Sequence, residues 1–340
     1  MKQNERRIVE GGDSPQQRKA GDGAKRAILA LAGGAGLFVL GSIAFDLGIL
    51  GDDGSHPTNS SERESDMAAA YFSPPAETSI PDGPDGDAIR RGMALFVNTK
   101  TNAADFVGNE LSCASCHLDK GREPNSAPMW AAYVIYPKYR SKNKQINTME
   151  DRLRGCFTYS MNGQDSPSGG PPPAGHPIYK DLQMYFHWLA SGAPVGESLP
   201  GQGYPELEKT ALGYDPQRGA QVYEQNCAAC HGSNGQGQRD LNGKLVFPPL
   251  WGPNSYNWGA GMARVNTAAS FIKANMPMGQ GGTLTDQEAW DAAAFIDSQE
   301  RPRDPRQTGS VADNAAANHG QDTYYGKIVE GRLLGTGTGR

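Results

Sequence analysis

Sheet-forming patterns are the first thing this chain lacks. No stretch of its 340 residues alternates apolar and polar side chains convincingly enough to predict a strand. Dense charge of one sign is also scarce. The 32 bases and 37 acids leave a net charge of −5, and no basic run is interleaved with aromatics as nucleic-acid surfaces are, so nucleic acid is not an expected partner. Cysteine is rarer still: five residues, four of them in two tight pairs. Disulfides between neighbours that close are poor loop-closers. What the chain has in plenty is glycine and proline, 44 and 24 residues, a fifth of the whole. Such a chain has no room for long regular elements and predicts compact, loop-rich domains.

The charge is unevenly spread. Residues 1–26 carry seven Lys/Arg against four Asp/Glu, and residues 51–87 carry nine acids against one base. Between them Ala27–Phe45 runs for nineteen residues without a charge, about the length of a membrane-crossing helix. Lys25 and Arg26 before it place the N-terminus in the cytoplasm by the positive-inside rule. The segment is read as a retained anchor rather than the apolar part of a cleaved signal, for which it is long; either delivers the rest of the chain outside the cytoplasm. The expected layout is a basic segment (1–26), a transmembrane anchor or signal (27–50), an acidic flexible linker (51–85), two helical domains (86–200 and 201–300) and a C-terminal tail (301–340).

The two domains come from an internal repeat. "GDAIRRGMALFVNTK" precedes Cys113 and "DPQRGAQVYEQN" precedes Cys227; each has Arg-Gly followed by apolar residues at helical spacing. Each half closes on an aromatic-bearing helix, "YKDLQMYFHWLA" and "TDQEAWDAAAFIDSQ", the latter with Thr285 and Glu288 at capping-box spacing. Each half also holds Cys-x-x-Cys-His: Cys113, Cys116, His117 and Cys227, Cys230, His231. Two thiols a helical turn apart can add to the two vinyl groups of one haem, and the adjacent histidine then becomes the proximal iron ligand. A zinc site built from such pairs has about 15–20 residues between them; here Cys116 and Cys227 are 111 apart. A thioredoxin-like pair would need a βαβ setting, and none is visible. Two covalently bound haem c groups are therefore expected. A haem also supplies the apolar plate that some 100 residues rich in Gly and Pro need for a core. Each half looks like a small class I cytochrome c domain, and the fold expectation is all-α.

The second axial ligand differs between the halves. In "FIKANMPMGQGG" Met276 and Met278 are available, and the Asn-Met-Pro setting favours Met276. Aligning Thr148 with Thr267 brings Cys156 to within one residue of Met276 in the repeat, so a thiol stands in the ligand slot of the first haem. As thiolate it would stabilise the ferric state. Met161, His176 and His187 remain alternatives, and a lone cysteine can equally be a small buried hydrophobe. Residues 138–154 carry six bases and two acids. On a helix Arg152, Cys156 and Ser160 fall at i, i+4 and i+8, a face able to offer a guanidinium, a sulfur and a hydroxyl to a small oxyanion.

"NELSCASCHLDKGREPNSAPMWAAY", "TMEDRLRGCFTYSMNG" and "FPPLWGPNSYNWGAGM…FIKANMPMGQGGTLTDQEAWDAAAFI" resemble the dihaem thiosulfate dehydrogenases, over about residues 85–300. The resemblance implies His117 and Cys156 as ligands of an active-site haem, and His231 and Met276 as ligands of an electron-transfer haem. It puts the active-site arginine and serine at Arg152 and Ser160, with Arg140 or Lys142 as a second base. It implies oxidation of two thiosulfates to tetrathionate, reversible in principle, with electrons passing to a soluble cytochrome or a membrane respiratory acceptor. The expected location is the periplasmic side of the cytoplasmic membrane. A non-enzymatic, membrane-tethered dihaem electron carrier and a haem-thiolate sensor are the rival readings.

Overall fold

The computed structural model describes residues 71–140 and 143–338. The basic segment, the apolar run Ala27–Phe45, the linker up to residue 70 and Lys142 lie outside the described residues. No helix among the described residues is long and apolar enough to cross a membrane.

In the first repeat α1 (Pro84–Val97), α2 (Met129–Val134), α3 (Met149–Gly155) and α4 (Pro177–Leu189) surround a core that includes Leu95, Phe96, Trp130, Leu153 and Phe186. In the second, α5 (Pro216–Asn226), α6 (Val265–Asn275) and α7 (Asp286–Asp297) surround Tyr223, Ala269, Trp290 and Ala293. Pro84, Pro177 and Pro216 open α1, α4 and α5, where a missing N–H costs nothing. The expected capping box starts α7: Glu288 N–H donates to Thr285 Oγ1 (3.2 Å), and Thr285 N–H donates to Glu288 Oε2 (2.7 Å).

The Arg-Gly pairs explain how each domain is tied. Helix α1 packs on α4, and α5 packs on α7. A Cβ on Gly92 would lie 2.0 Å from the carbonyl oxygen of Asp181, and one on Gly219 would lie 1.9 Å from that of Asp291. Only glycine lets the backbones meet this closely. The preceding arginine then reaches the same aspartate with two hydrogen bonds. Arg91 meets Asp181 at 3.0 and 2.9 Å, and Arg218 meets Asp291 at 2.8 Å twice. Aromatic packing completes each crossing. Phe96 stands edge-on to Phe186 (5.7 Å, 89°), and Tyr223 lies 5.2 Å from Phe295.

The strand-free expectation fails in detail. Three antiparallel hairpins are present among the described residues: β1 (Lys138–Arg140) with β2 (Gln145–Asn147), β3 (Gln238–Arg239) with β4 (Leu245–Phe247), and β5 (Ile328–Val329) with β6 (Arg332–Leu333). Strands of two or three residues are too short for alternation to register. The tail is also more structured than its composition suggests. It forms α8 (Val311–Asn318) and folds about Asp304, a buried carboxylate that meets Arg306 (2.6 Å) and His319 (2.9 Å). Residues 71–80 pack on the first domain. The Phe72 ring lies 5.4 Å from Trp130, and Arg122 donates to the carbonyls of Pro74 and Pro75.

Candidate functional site

The second attachment motif follows directly from α5. Cys227 terminates that helix, and a single turn, Ala228–His231, brings Cys230 and His231 round beside it. His231 Nδ1 bonds the carbonyl of Pro248 at 2.9 Å. A carbonyl only accepts, so Nδ1 carries the proton and Nε2 is left as the metal-binding nitrogen. Burial lowers the His231 pKa, opposed by that carbonyl bond, and so keeps the ring neutral. Cys227, Cys230, His231 and Met276 line one cavity of about 590 Å³, which Cys116 of the first motif also borders, walled by apolar groups such as Phe247 and Ile272. Its size suits a cofactor.

The first motif sits on a 3₁₀ turn, Cys113–Ser115, opened by a Ser112–Ser115 capping box. The Thr99 hydroxyl lies 3.3 Å from Cys113 Sγ. His117 Nδ1 bonds the carbonyl of Ala127 at 2.8 Å, the same arrangement as at His231. Burial brings His117 down to about 4, with the Ala127 carbonyl opposing and the nearby Arg152 charge assisting. In both repeats two free thiols and a neutral, oriented imidazole are thus presented together. These residues fit a covalently attached haem, and His117 and His231 each leave Nε2 available to an iron.

Cys156 and Met276 hold equivalent places: each is the first residue past an α-helix, α3 and α6 respectively. Cys156 is close enough to the first motif for its charge to bear on Cys113 and Cys116, although burial is the main reason those thiols are pushed up to about 12 and about 11. Arg152 Nη1 donates to Cys156 Sγ at 3.1 Å. The thiol is the main reason the guanidinium is held above its ordinary value, burial opposing it, with Tyr136 and Tyr204 adding to it. Tyr136 in turn accepts from Arg140 Nη1 at 3.1 Å. Arg152, Cys156, Tyr136 and Arg140 therefore form one connected group. No carboxylate among the described residues lies within ion-pairing distance of Arg152 or Arg140.

Ser160 is placed differently from the simple helical expectation. The α-helix ends at Gly155, and Cys156–Ser160 form a π turn, closed by Met161 N–H donating to the Cys156 carbonyl at 3.0 Å. Ser160 enters the hydrogen-bond frame through its carbonyl, which accepts from Asn109 Nδ2 at 2.7 Å. Of the alternative ligands, Met161 is buried in the core. His176 caps α4, its Nδ1 accepting from Ile178 N–H at 3.2 Å. His187 is exposed and packs on Tyr133. Met278 is 61% exposed, whereas Met276 packs against the core. Tyr136, Tyr204, Asn109 and Asn257 were not visible as site residues in the sequence. Tyr136 stands four residues before Arg140, which is a weak signal; the others carry none.

Two cytochrome domains with covalent haem sites, the first with a thiol beside two guanidinia that have no carboxylate partner among the described residues, define a dihaem c-type cytochrome. Comparison with known proteins agrees. Residues 99–172 match the SoxA/TsdA cytochrome c domain, and residues 215–296 match the family described as cytochrome c oxidase, cbb3-type, subunit III. The thiosulfate dehydrogenase of Stutzerimonas stutzeri is 46% identical over 88% of this chain and 95% of its own length. That of Thiomonas intermedia is 50% identical over 78% and 83%. The solved structure of thiosulfate dehydrogenase (TsdBA) from Marichromatium purpuratum matches with a TM-score of 0.77 and 50% identity, over 80% of this chain. The match spans 59% of that longer chain. The chain belongs to the thiosulfate dehydrogenase family. It is an oxidoreductase with two covalently bound haem c groups, and the passive-carrier reading gives way.

Proposed function

We propose that the group around Cys156 oxidises two thiosulfates to tetrathionate, with release of two electrons. The observation that carries this is the Arg152–Cys156 contact at 3.1 Å beside the first attachment motif, with both guanidinia free of carboxylate partners among the described residues. His117 and Cys156 would hold the first haem, and His231 and Met276 the second. When bound, the two groups supply one-electron redox chemistry and a relay to an external acceptor, either a soluble cytochrome or a membrane respiratory component.

The chain's own residues do the rest. Arg152, whose fork matches a sulfonate, binds one thiosulfate, and Arg140 adds positive charge through Tyr136. Ser160 is assigned a hydroxyl contact to the same oxyanion. The Cys156 sulfur forms an S–S bond to the terminal sulfur of the bound thiosulfate, and two electrons leave. The terminal sulfur of a second thiosulfate attacks that sulfur, making the central S–S bond of tetrathionate and returning Cys156 as thiolate beside Arg152. Each step is reversible, so tetrathionate reduction belongs to the same reading. An N-terminal anchor and a periplasmic location complete it, to be checked by fractionating cells that express the full chain.

Replacing Cys156 with Gly and measuring both the low-spin haem spectrum and thiosulfate turnover tests the assignment. Loss of turnover with an altered first-haem spectrum is expected. If both persist unchanged, ligand and mechanism fall together.

A further inference from the structure

The C-terminal end of the π turn has an accounting problem. A helix that stops leaves its last carbonyls short of intrahelical donors; here three successive ones, on Thr158, Tyr159 and Ser160, take donors from outside the turn, Tyr159 O also accepting from Asn162 N–H at 3.4 Å. Two fully buried asparagines supply them. Asn257 Nδ2 donates to Thr158 O at 2.9 Å, Asn257 N–H to Tyr159 O at 3.2 Å, and Asn109 Nδ2 to Ser160 O at 2.7 Å. Both amides make further bonds that fix their orientation. Asn257 also donates to Asn162 Oδ1 (3.2 Å) and accepts from Gly259 N–H (3.0 Å). Asn109 also donates to Ser255 O (3.1 Å) and accepts from Leu111 N–H (3.2 Å).

Asn109 lies four residues before Cys113, and Asn257 lies in the second domain. Segment 254–259 is joined to the first domain at further points. Glu110 N–H donates to Asn254 O at 3.1 Å, and a Cβ on Gly259 would fall 2.4 Å from the Tyr159 ring. The turn beginning at Cys156 is thus gripped from the haem-attachment loop on one side and from the second domain on the other.

We propose that Asn109 and Asn257 are positioning residues for Cys156. They hold the π turn so that its sulfur stays against Arg152 and the first attachment motif, and through Asn257 the second domain sets how tightly. This rests on the reading that puts Cys156 at the site. Without these side-chain amides, the part-buried carbonyls of Thr158 and Ser160 lose a donor, and local opening of the turn becomes easier.

Haem attachment consumes four of the five thiols as thioethers, so iodoacetamide applied to the native, haem-loaded protein reports on Cys156. Asn257→Ala and Asn109→Ala should each accelerate its alkylation roughly ten-fold or more. Arg218→Ala serves as the control: it breaks the α5–α7 ion pair and lowers the melting temperature, yet should leave the rate within two-fold of wild type. If Asn257→Ala does not load haem, Asn109→Ala and the isosteric Asn257→Asp carry the comparison. Unchanged rates in the asparagine variants, or an equal acceleration in Arg218→Ala, would overturn the proposal. An error in the ligand assignment would surface separately, in the Cys156→Gly spectrum.

Discussion

Gly219→Ala sets two effects of opposite sign against each other. Helix propensity alone makes alanine better by about 1 kcal/mol. The structure argues the other way. The new methyl would sit 1.9 Å from the Asp291 carbonyl oxygen, 2.6 Å from its carbon and 2.9 Å from Phe295 Cβ. Relief requires α5 and α7 to separate by about 1.5 Å. Overpacking of this kind costs about 1–3 kcal/mol. The same displacement breaks both 2.8 Å bonds from Arg218 to Asp291, whose carboxylate is 3% exposed. The Arg218 side chain is 44% exposed, so solvent screens the pair and its loss only adds to the overpacking cost. The net expectation is a loss of about 2 kcal/mol, or a melting temperature lower by about 3–5 °C for a chain of this size. Thermal unfolding of the haem-loaded protein, followed by circular dichroism, measures it. Gly92→Ala at the α1–α4 crossing should behave alike. A melting temperature unchanged or raised in both variants would mean that the crossings are loose enough for propensity to win, and the argument from close approach would be wrong.

Other expectations follow from the site. Arg152→Lys keeps the charge but not the fork, and should lower kcat/KM for thiosulfate by about 10-fold, Arg152→Gln by about 100-fold or more; steady-state turnover with an artificial acceptor checks this, and equal activity in both would remove Arg152 from substrate binding. Met276→His should lower the midpoint potential of the second haem, since methionine ligation raises it, while the first-haem spectrum stays as in wild type. Asp304 gives a pH signature. Burial opposes its ionisation, but the His319 ring and Arg306 outweigh that and hold the carboxyl below the ordinary carboxylate range. Its stabilisation is therefore complete above the unfolded value of about 3.9 and is lost as pH falls through the lower folded value. The stability gap between wild type and Asp304→Asn should accordingly be full at pH 7 and shrink only below about pH 4. A gap that closes at higher pH would contradict the assignment.

Local chemistry was legible in the sequence. The pentads at Cys113 and Cys227 carry their own spacing, the Arg-Gly starts of α1 and α5 repeat, and Thr285–Glu288 caps a helix by neighbouring residues alone. Aligning the two halves pairs Cys156 with Met276, and in the structure each is the first residue past its helix, α3 and α6. What escaped was tertiary. Nothing near Asn257 in the chain says that its amide meets Thr158, 99 residues away. The π turn has no compositional mark, because its extra residue is stabilised by those distant donors. Hairpins two residues long leave no period to read. The tail looked featureless because Asp304, Arg306 and His319 acquire meaning only when folded together.

Duplication normally lets two copies of a domain drift apart, each answering to its own cofactor. Segment 254–259 removes that freedom. It belongs to the second domain by sequence, yet it bonds the turn that carries the first domain's thiol, so a substitution there would be felt in both domains. The repeat can change its ligands and loops, but exchanging the second domain for another cytochrome would strip the first of its donors. The two domains are therefore not interchangeable modules: each is a fitted part of the other's site wall.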